Sequence, residues 1–388
     1  MKKMIKKGIT LAMAVAMALS MVACGGDNGA NNGPAHDGII LKDLTQAKNV
    51  ILLIGDGMGT DQIRAGELFK GEMLTMQKFP YRTTVQTRSA SGLTDSAAAA
   101  TALATGTRTN NGIVGRDTNQ QDLQTIVDIA HSLGKRTGIL ATEELYGATP
   151  MGFSAHAYSR NDTADLMQSA AESSNVNLFA SYIINSEYLD KFVLEGYTCL
   201  SDADLISDAT EEKVIGSYSI NANYDPMMVD GNCVAFDRLV LEALEYLSQD
   251  EDGFFLMAEG SHIDHGGHNN DICYMLEELI AFDNAIQVVL EWAKDRDDTV
   301  VIVTADHETG GLTLDRDATH ELMVDVYDSY GRGNCYEWTS KNHTNADVNF
   351  YINGANIDFT QYYSGGYQRI KNTDVFEIMK SLLVGNNA

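Results

Sequence analysis

Asp264 and His268 stand four residues apart in the segment EGSHIDHGGH (259–268), with His265 between them. On a helix this spacing puts both side chains on one face, as two ligands of a single ion require. Asp306-His307-Glu308 directly follows an apolar run, and His343-Thr344 comes later still. A set of Asp and His without Cys suits zinc in hydrolytic use, because it leaves coordination positions open for water or substrate. GLTDSAAAATALA (92–104) is the polar start of an alanine-rich helix, with Ser96 at its N-terminus. Amide N–H groups and the helix dipole favour an anion there, and a cation above the hydroxyl would lower its pKa enough to make an alkoxide nucleophile. Each segment alone also has an ordinary reading: a glycine-rich loop with exposed histidines, and Asp95 or Ser96 as a helix cap.

Such residues need a frame. Short β-branched runs at Asn49–Ile54, Thr83–Thr87, Thr137–Ala141, Phe254–Ala258 and Thr299–Thr304 predict strands buried on both faces. Helical spacing of apolar residues predicts helices over Gln121–Leu133, Thr163–Ser173, Phe236–Ser248 and Ile272–Trp292. The pattern is α/β: a single large domain over residues 46–388, with a mostly parallel central sheet flanked by helices on both faces. The less periodic stretch 180–231, richer in Ser, Asn and Asp, reads as an insertion or cap. Ligands of such a sheet bind beyond the carboxyl ends of the strands, where Asp56, Glu259 and Asp306-His307 all fall.

With 27 Lys plus Arg against 54 Asp plus Glu, the formal charge is −27, which repels a phosphate backbone and excludes nucleic acid as a main partner. Four lysines precede the apolar run Ile9–Val22, which ends in small residues before Cys24. This is the pattern of an export signal (1–23) and resembles a bacterial lipoprotein leader, lipidated at Cys24 after cleavage. Residues 24–45 would then be a flexible tether, and the protein would sit in the cell envelope, touching membrane only through its anchor. Cleavage after Ala23 without lipidation would instead give a secreted protein. Cys199, Cys233, Cys273 and Cys335 remain in the exported body and allow three complete disulfide pairings.

Six motifs now add up. GDGMG (55–59), TDSAAAATALATG (94–106), TPMGFSAHAYSR (149–160), EGSHIDHGGH (259–268), TADHETGG (304–311) and HT (343–344) resemble alkaline phosphatases in order and spacing. The resemblance implies hydrolysis of phosphate monoesters through a phosphorylated Ser96, aided by two zinc ions. It assigns Asp264, His268 and His343 to one zinc, and Asp56, Asp306 and His307 to the other. Asp56, Thr149 and Glu259 would hold a third ion, magnesium. Arg160 would clamp two phosphate oxygens, Asp95 would orient Ser96 or Arg160, and His265 would tune phosphate affinity without binding zinc. The resemblance further suggests a homodimer and a Cys233–Cys273 disulfide. Gly147 departs from the pattern, since the family usually carries Asp or His there, and this implies weak magnesium binding. His131, His156, His262 and His320 receive no metal role. The rival readings are a phosphodiesterase or sulfatase of the same superfamily, which typically lacks the third-ion set, and a lipoprotein that only captures phosphate or metal.

Overall fold

A computed structural model describes residues 46–173, 175–182, 184–200, 203–221, 233–354 and 369–385. The leader, Cys24 and the tether 24–45 lie outside the described residues. The strands are β1 (Asn49–Gly55), β2 (Tyr81–Gln86), β3 (Arg136–Glu144), β4 (Leu178–Tyr182), β5 (Thr198–Leu200), β6 (Val214–Asn221), β7 (Cys233–Ala235), β8 (Phe254–Gly260), β9 (Thr299–Thr304), β10 (Val348–Gly354) and β11 (Ile370–Lys371). They form one eleven-stranded sheet in the order β11-β2-β10-β9-β1-β8-β3-β4-β6-β5, with β7 paired to β6. Strand pairs in it are parallel except the two made by β10, which runs against both β9 and β2.

The helices are α1 (Thr60–Lys70), α2 (Ser96–Thr105), α3 (Ile126–Ser132), α4 (Ala148–Ser154), α5 (Thr163–Ser173), α6 (Ser186–Leu194), α7 (Phe236–Leu247), α8 (His262–Asn269), α9 (Ile272–Ala293), α10 (His320–Asp328) and α11 (Asn372–Val384). One packed set contains α2, α3, α4 and α11, and another contains α1, α7, α8, α9 and α10. Both sets touch the central strands, so they cover opposite faces. That is why β1, β8 and β9 are buried along their whole length and carry no polar alternation. The alanine run of α2 has a packing reason as well. All ten of its residues are buried, and the helix lies so close to α4 that a Cβ on Gly152 would fall 2.5 Å from Ala100 Cβ.

Two expectations need correction. The stretch 180–231 is not a cap: β4, β5 and β6 extend the sheet beyond β3, pairing in parallel with one another. Its Ser and Asn residues misled because this sheet edge is short and partly exposed; residues 222–232 lie outside the described residues. The helix expected from Gln121 begins only at Ile126, because Thr125 and Asp128 form a reciprocal capping box that fixes its start. Among the described residues, no helix is long and apolar enough to cross a membrane.

Candidate active site

Register levels the site. Ile54 of β1 pairs with Glu259 of β8 and with Thr304 of β9, and Glu259 pairs with Ala141 of β3. Asp56 and Asp306 therefore each lie two residues beyond the same row, at the carboxyl edge where Glu259 also ends its strand. Gly57 turns the chain away with φ of +70°, and a Cβ there would come 2.7 Å from Asp264 Cα, so only glycine lets α8 approach. The expected helical spacing in α8 is present: His268 Nε2 lies 3.2 Å from Asp264 Oδ2. His343 arrives by a two-stranded ladder in which Glu308 pairs with Thr344 and Thr309 with His343.

The imidazoles are oriented for a cation. His343 Nδ1 is 3.0 Å from the Thr94 carbonyl, and His268 Nδ1 is 2.6 Å from the Lys341 carbonyl. A carbonyl only accepts, so each Nδ1 carries the proton and each Nε2 presents a lone pair. Those two Nε2 atoms face each other at 3.2 Å, and Asp264 Oδ1 is 3.7 Å from His343 Nε2. A metal ion reconciles these acceptors; a proton competes for the same place, since the hydrogen bond with Asp264 lifts His268 to about 8. Burial would raise Asp264, but its hydrogen bonds with His268 and Thr309 hold it below the usual carboxylate range.

A second cluster lies deeper. His307 Nε2 is 3.0 Å from Asp306 Oδ2, 3.5 Å from Asp56 Oδ1 and 3.2 Å from Ser96 Oγ. Ligand atoms of Asp56, Asp264 and His307 converge within 4.8 Å, as do those of Asp264, His268 and His343. Asp264 thus stands between both clusters, where the sequence assigned it to one. Thr309, missed by the sequence reading, organises the pair: its hydroxyl donates to Asp264 Oδ1 and lies 3.2 Å from His307 Nδ1. Having spent its proton on Asp264, that oxygen accepts from Nδ1–H and leaves the Nε2 lone pair of His307 pointing at the site. Burial, then the nearby His343, keeps His307 far below its usual pKa, in the neutral form that binds metal.

The carboxylates behind this cluster need positive charge. Burial, then Asp306 and Asp264, pushes Asp56 well above the ordinary range, and burial followed by Asp264 takes Asp306 to about 7. Asp56 Oδ1, Asp306 Oδ2, Glu259 Oε1 and Thr149 Oγ1 are buried with no hydrogen-bond partner. Four orphaned oxygens in one place fit divalent cations, and little else would offset their desolvation. The other oxygen of Glu259 accepts from Ser261 Oγ at 2.8 Å.

Ser96 opens α2, and Asp95 caps that helix by accepting from Ala98 N at 3.0 Å. Asp95 Oδ2 accepts from Gly112 N at 2.9 Å and is 3.5 Å from Arg160 NH1, so the cap also steers the guanidinium. His265 sits at the exposed rim, its Nε2 4.0 Å from Glu143 Oε2. Glu143 is the other residue missed from sequence; it follows the predicted strand Thr137–Ala141 by two residues, as Asp56 follows Ile54. Of the other histidines, His131 and His320 are exposed, the latter with Nδ1 2.7 Å from the Leu68 carbonyl, and His156 Nε2 meets the Leu123 carbonyl at 2.8 Å. Cys273 is a free thiol with Sγ 3.8 Å from the Tyr327 carbonyl, and the side chain of Cys233, its expected partner, lies outside the described residues.

A family model described as alkaline phosphatase matches residues 47–197 and 234–325. Alkaline phosphatase 3 of Bacillus subtilis is 30% identical over 341 residues, covering 82% of this chain and 73% of that protein. Alkaline phosphatase of Escherichia coli is 32% identical over 329 residues, covering 67% of this chain and 70% of that protein. The structure of alkaline phosphatase from the Antarctic bacterium TAB5 aligns with a TM-score of 0.72 at 26% identity, covering 88% of this chain and 99% of that one. On these matches, the chain belongs to the alkaline phosphatase family of phosphoric monoester hydrolases.

Proposed function

We propose that this protein hydrolyses phosphate monoesters to alcohol and inorganic phosphate through a phosphoserine at Ser96, using two zinc ions and one magnesium ion. The observation that carries this reading is the place of Ser96 Oγ, 3.2 Å from His307 Nε2 and at the N-terminus of α2. Zinc is favoured by the mixed imidazole and carboxylate sets Asp264/His268/His343 and Asp56/Asp306/His307, and magnesium by the oxygen-only set Asp56/Thr149/Glu259. Bound there, the zinc ions would supply Lewis acidity, lowering the pKa of the attacking hydroxyl and of water and stabilising the leaving oxygen. The same family includes a TAB5 mutant whose structure has magnesium bound in its M3 site.

Ser96 attacks phosphorus as its Oγ–H proton passes to solvent, and the bond to the alcohol oxygen breaks, that oxygen taking a proton from water to leave as the alcohol. Water then attacks the phosphoserine from the opposite side and the Ser96 oxygen leaves, regaining a proton. Two in-line displacements give net retention at phosphorus. Arg160, anchored by Asp95 and partly open to solvent, grips two phosphate oxygens with its planar fork. His265 tunes phosphate affinity from the rim.

The deciding experiment compares an aryl phosphate monoester with the matching diester, using protein stripped of metal and reloaded with zinc, with and without magnesium. Rapid zinc-dependent monoester turnover supports the reading. Diester preference moves the protein elsewhere in its superfamily, and no turnover on either leaves a phosphate- or metal-capturing lipoprotein. Export and anchoring through Cys24 belong to the same proposal; radiolabelled fatty acid should enter the parent chain and not Cys24→Ala. A homodimer is proposed as well, to be read as twice the chain mass in sedimentation equilibrium.

A further inference from the structure

The reaction above makes no use of Glu143. Ala141 of β3 is level with Glu259, and the strand then bulges between Leu140 and Glu144, so Glu143 lies in an irregular stretch at the carboxyl edge that also carries Asp56 and Asp306. Its side chain is only 18% exposed and folds across Gly147, where a Cβ would fall 1.9 Å from Glu143 Oε1. Glu143 therefore fills the space into which a side chain at position 147 would project, entering from the strand instead of from the start of α4. Its other oxygen faces His265 Nε2 at 4.0 Å. Of the charges around Glu259, that of Glu143 bears on it most heavily. Glu259 Oε1 and Thr149 Oγ1 beside it are the orphaned oxygens of the third-ion set.

Two neighbouring carboxylates and an unpaired hydroxyl, on a wall already crowded with Asp56 and Asp306, call for a hard cation. Magnesium keeps part of its hydration shell, and an outer carboxylate that accepts hydrogen bonds from those waters holds the ion in place. We infer that Glu143 is a positioning residue for the third cation, holding hydrated magnesium against Asp56, Thr149 and Glu259 in place of the side chain that Gly147 lacks, and coupling the ion to His265. This rests on the third-ion set proposed above. Gly147 then marks a relocated carboxylate, not a weakened site, and magnesium is retained.

The test is calorimetric titration of magnesium chloride into the zinc-loaded protein, with zinc content and circular dichroism read on the same samples. Glu143→Gln keeps the shape and is expected to weaken magnesium binding by roughly 10- to 100-fold with zinc content unchanged. Gly147→Asp alone should bind no better than the parent, because its Cβ collides with Glu143. The pair Glu143→Ala with Gly147→Asp, which moves the carboxylate back to α4, should recover most of the affinity. Parental magnesium affinity in Glu143→Gln overturns the inference, as does a loss of zinc that accompanies the loss of magnesium. Glu259→Gln separates the two levels. If it abolishes magnesium binding while Glu143→Gln does not, only the role of Glu143 fails; if it too binds magnesium like the parent, the third-ion set itself fails.

Discussion

The two sides of the site answer the same problem, buried negative charge, in opposite ways. On the side of α8, Asp264 is flanked by two imidazoles whose lone pairs converge at 3.2 Å, and its own charge is stabilised by the hydrogen bonds with His268 and Thr309. On the side of Asp56, Glu259 and Thr149, oxygen atoms meet with no nitrogen ligand from α8 and no hydrogen-bond partner. The first side can share a proton between imidazole and carboxylate when no metal is present; the second can shed its charge only by protonating its own carboxylates. On the proposed reading, ligand chemistry would separate a borderline cation from a hard one across neighbouring parts of one site.

The largest test of that contrast removes all three of the proposed ions. Chelation should abolish phosphatase activity and phosphate binding together, because a chain of net charge −27 can hold a dianion only where cations reverse the local field. Tight phosphate binding by the stripped protein, seen by calorimetry, would break the argument. Next, Ser96→Ala should lower turnover by about 10⁴-fold or more while metal content measured by mass spectrometry stays at the parental level. A loss of metal in that variant would make Ser96 part of the cation cage.

Thr309→Val sharpens the asymmetry further. Without the hydroxyl that serves Asp264 and His307, zinc affinity should fall by about 10- to 100-fold, with magnesium affinity unmoved. Equal losses of both ions would mean the two sides are one mechanical unit. The smallest effect concerns Glu278 on α9, a buried carboxylate 3.8 Å from His262 with no cation to answer it. Burial, then the charge of Glu277, pushes it up to about 8. Its folded pKa lies above the unfolded value, so the stability it contributes is present in acid and is lost as pH rises toward 8. Glu278→Gln should therefore raise the melting temperature at pH 9, by a stabilisation of up to about 3 kcal/mol, and change little at pH 4. A shift of equal size at both pH values would point to packing instead.

The candidate constellation was legible because its members end strands or share a helix face, patterns that hydrophobic periodicity exposes. Asp56, Glu259 and Asp306 could be placed on one edge from their strands alone, and Asp264 with His268 from helical spacing. Thr309 and Glu143 were not singled out, since a threonine after a ligand and a glutamate after a strand are ordinary turn residues until the partner is seen. The signal existed for Glu143, whose offset from its predicted strand, ending at Ala141, repeats that of Asp56 from Ile54. The stretch 180–231 failed for a different reason: strands at a short, partly exposed sheet edge need not be continuously apolar, so their composition resembled a loop.

The ladder that joins Glu308–Thr309 to His343–Thr344 also sets a clock. Asp56, Ser96 and Asp264 leave the ribosome well before His343, and the imidazole pair that faces Asp264 has only one member until that late strand docks. A growing chain can therefore lay down β1 and β8 without closing a complete metal cage. On the proposed reading, activity should be withheld until His343 has emerged, so a nascent chain short of that strand would carry β1 and β8 without the enzyme's chemistry.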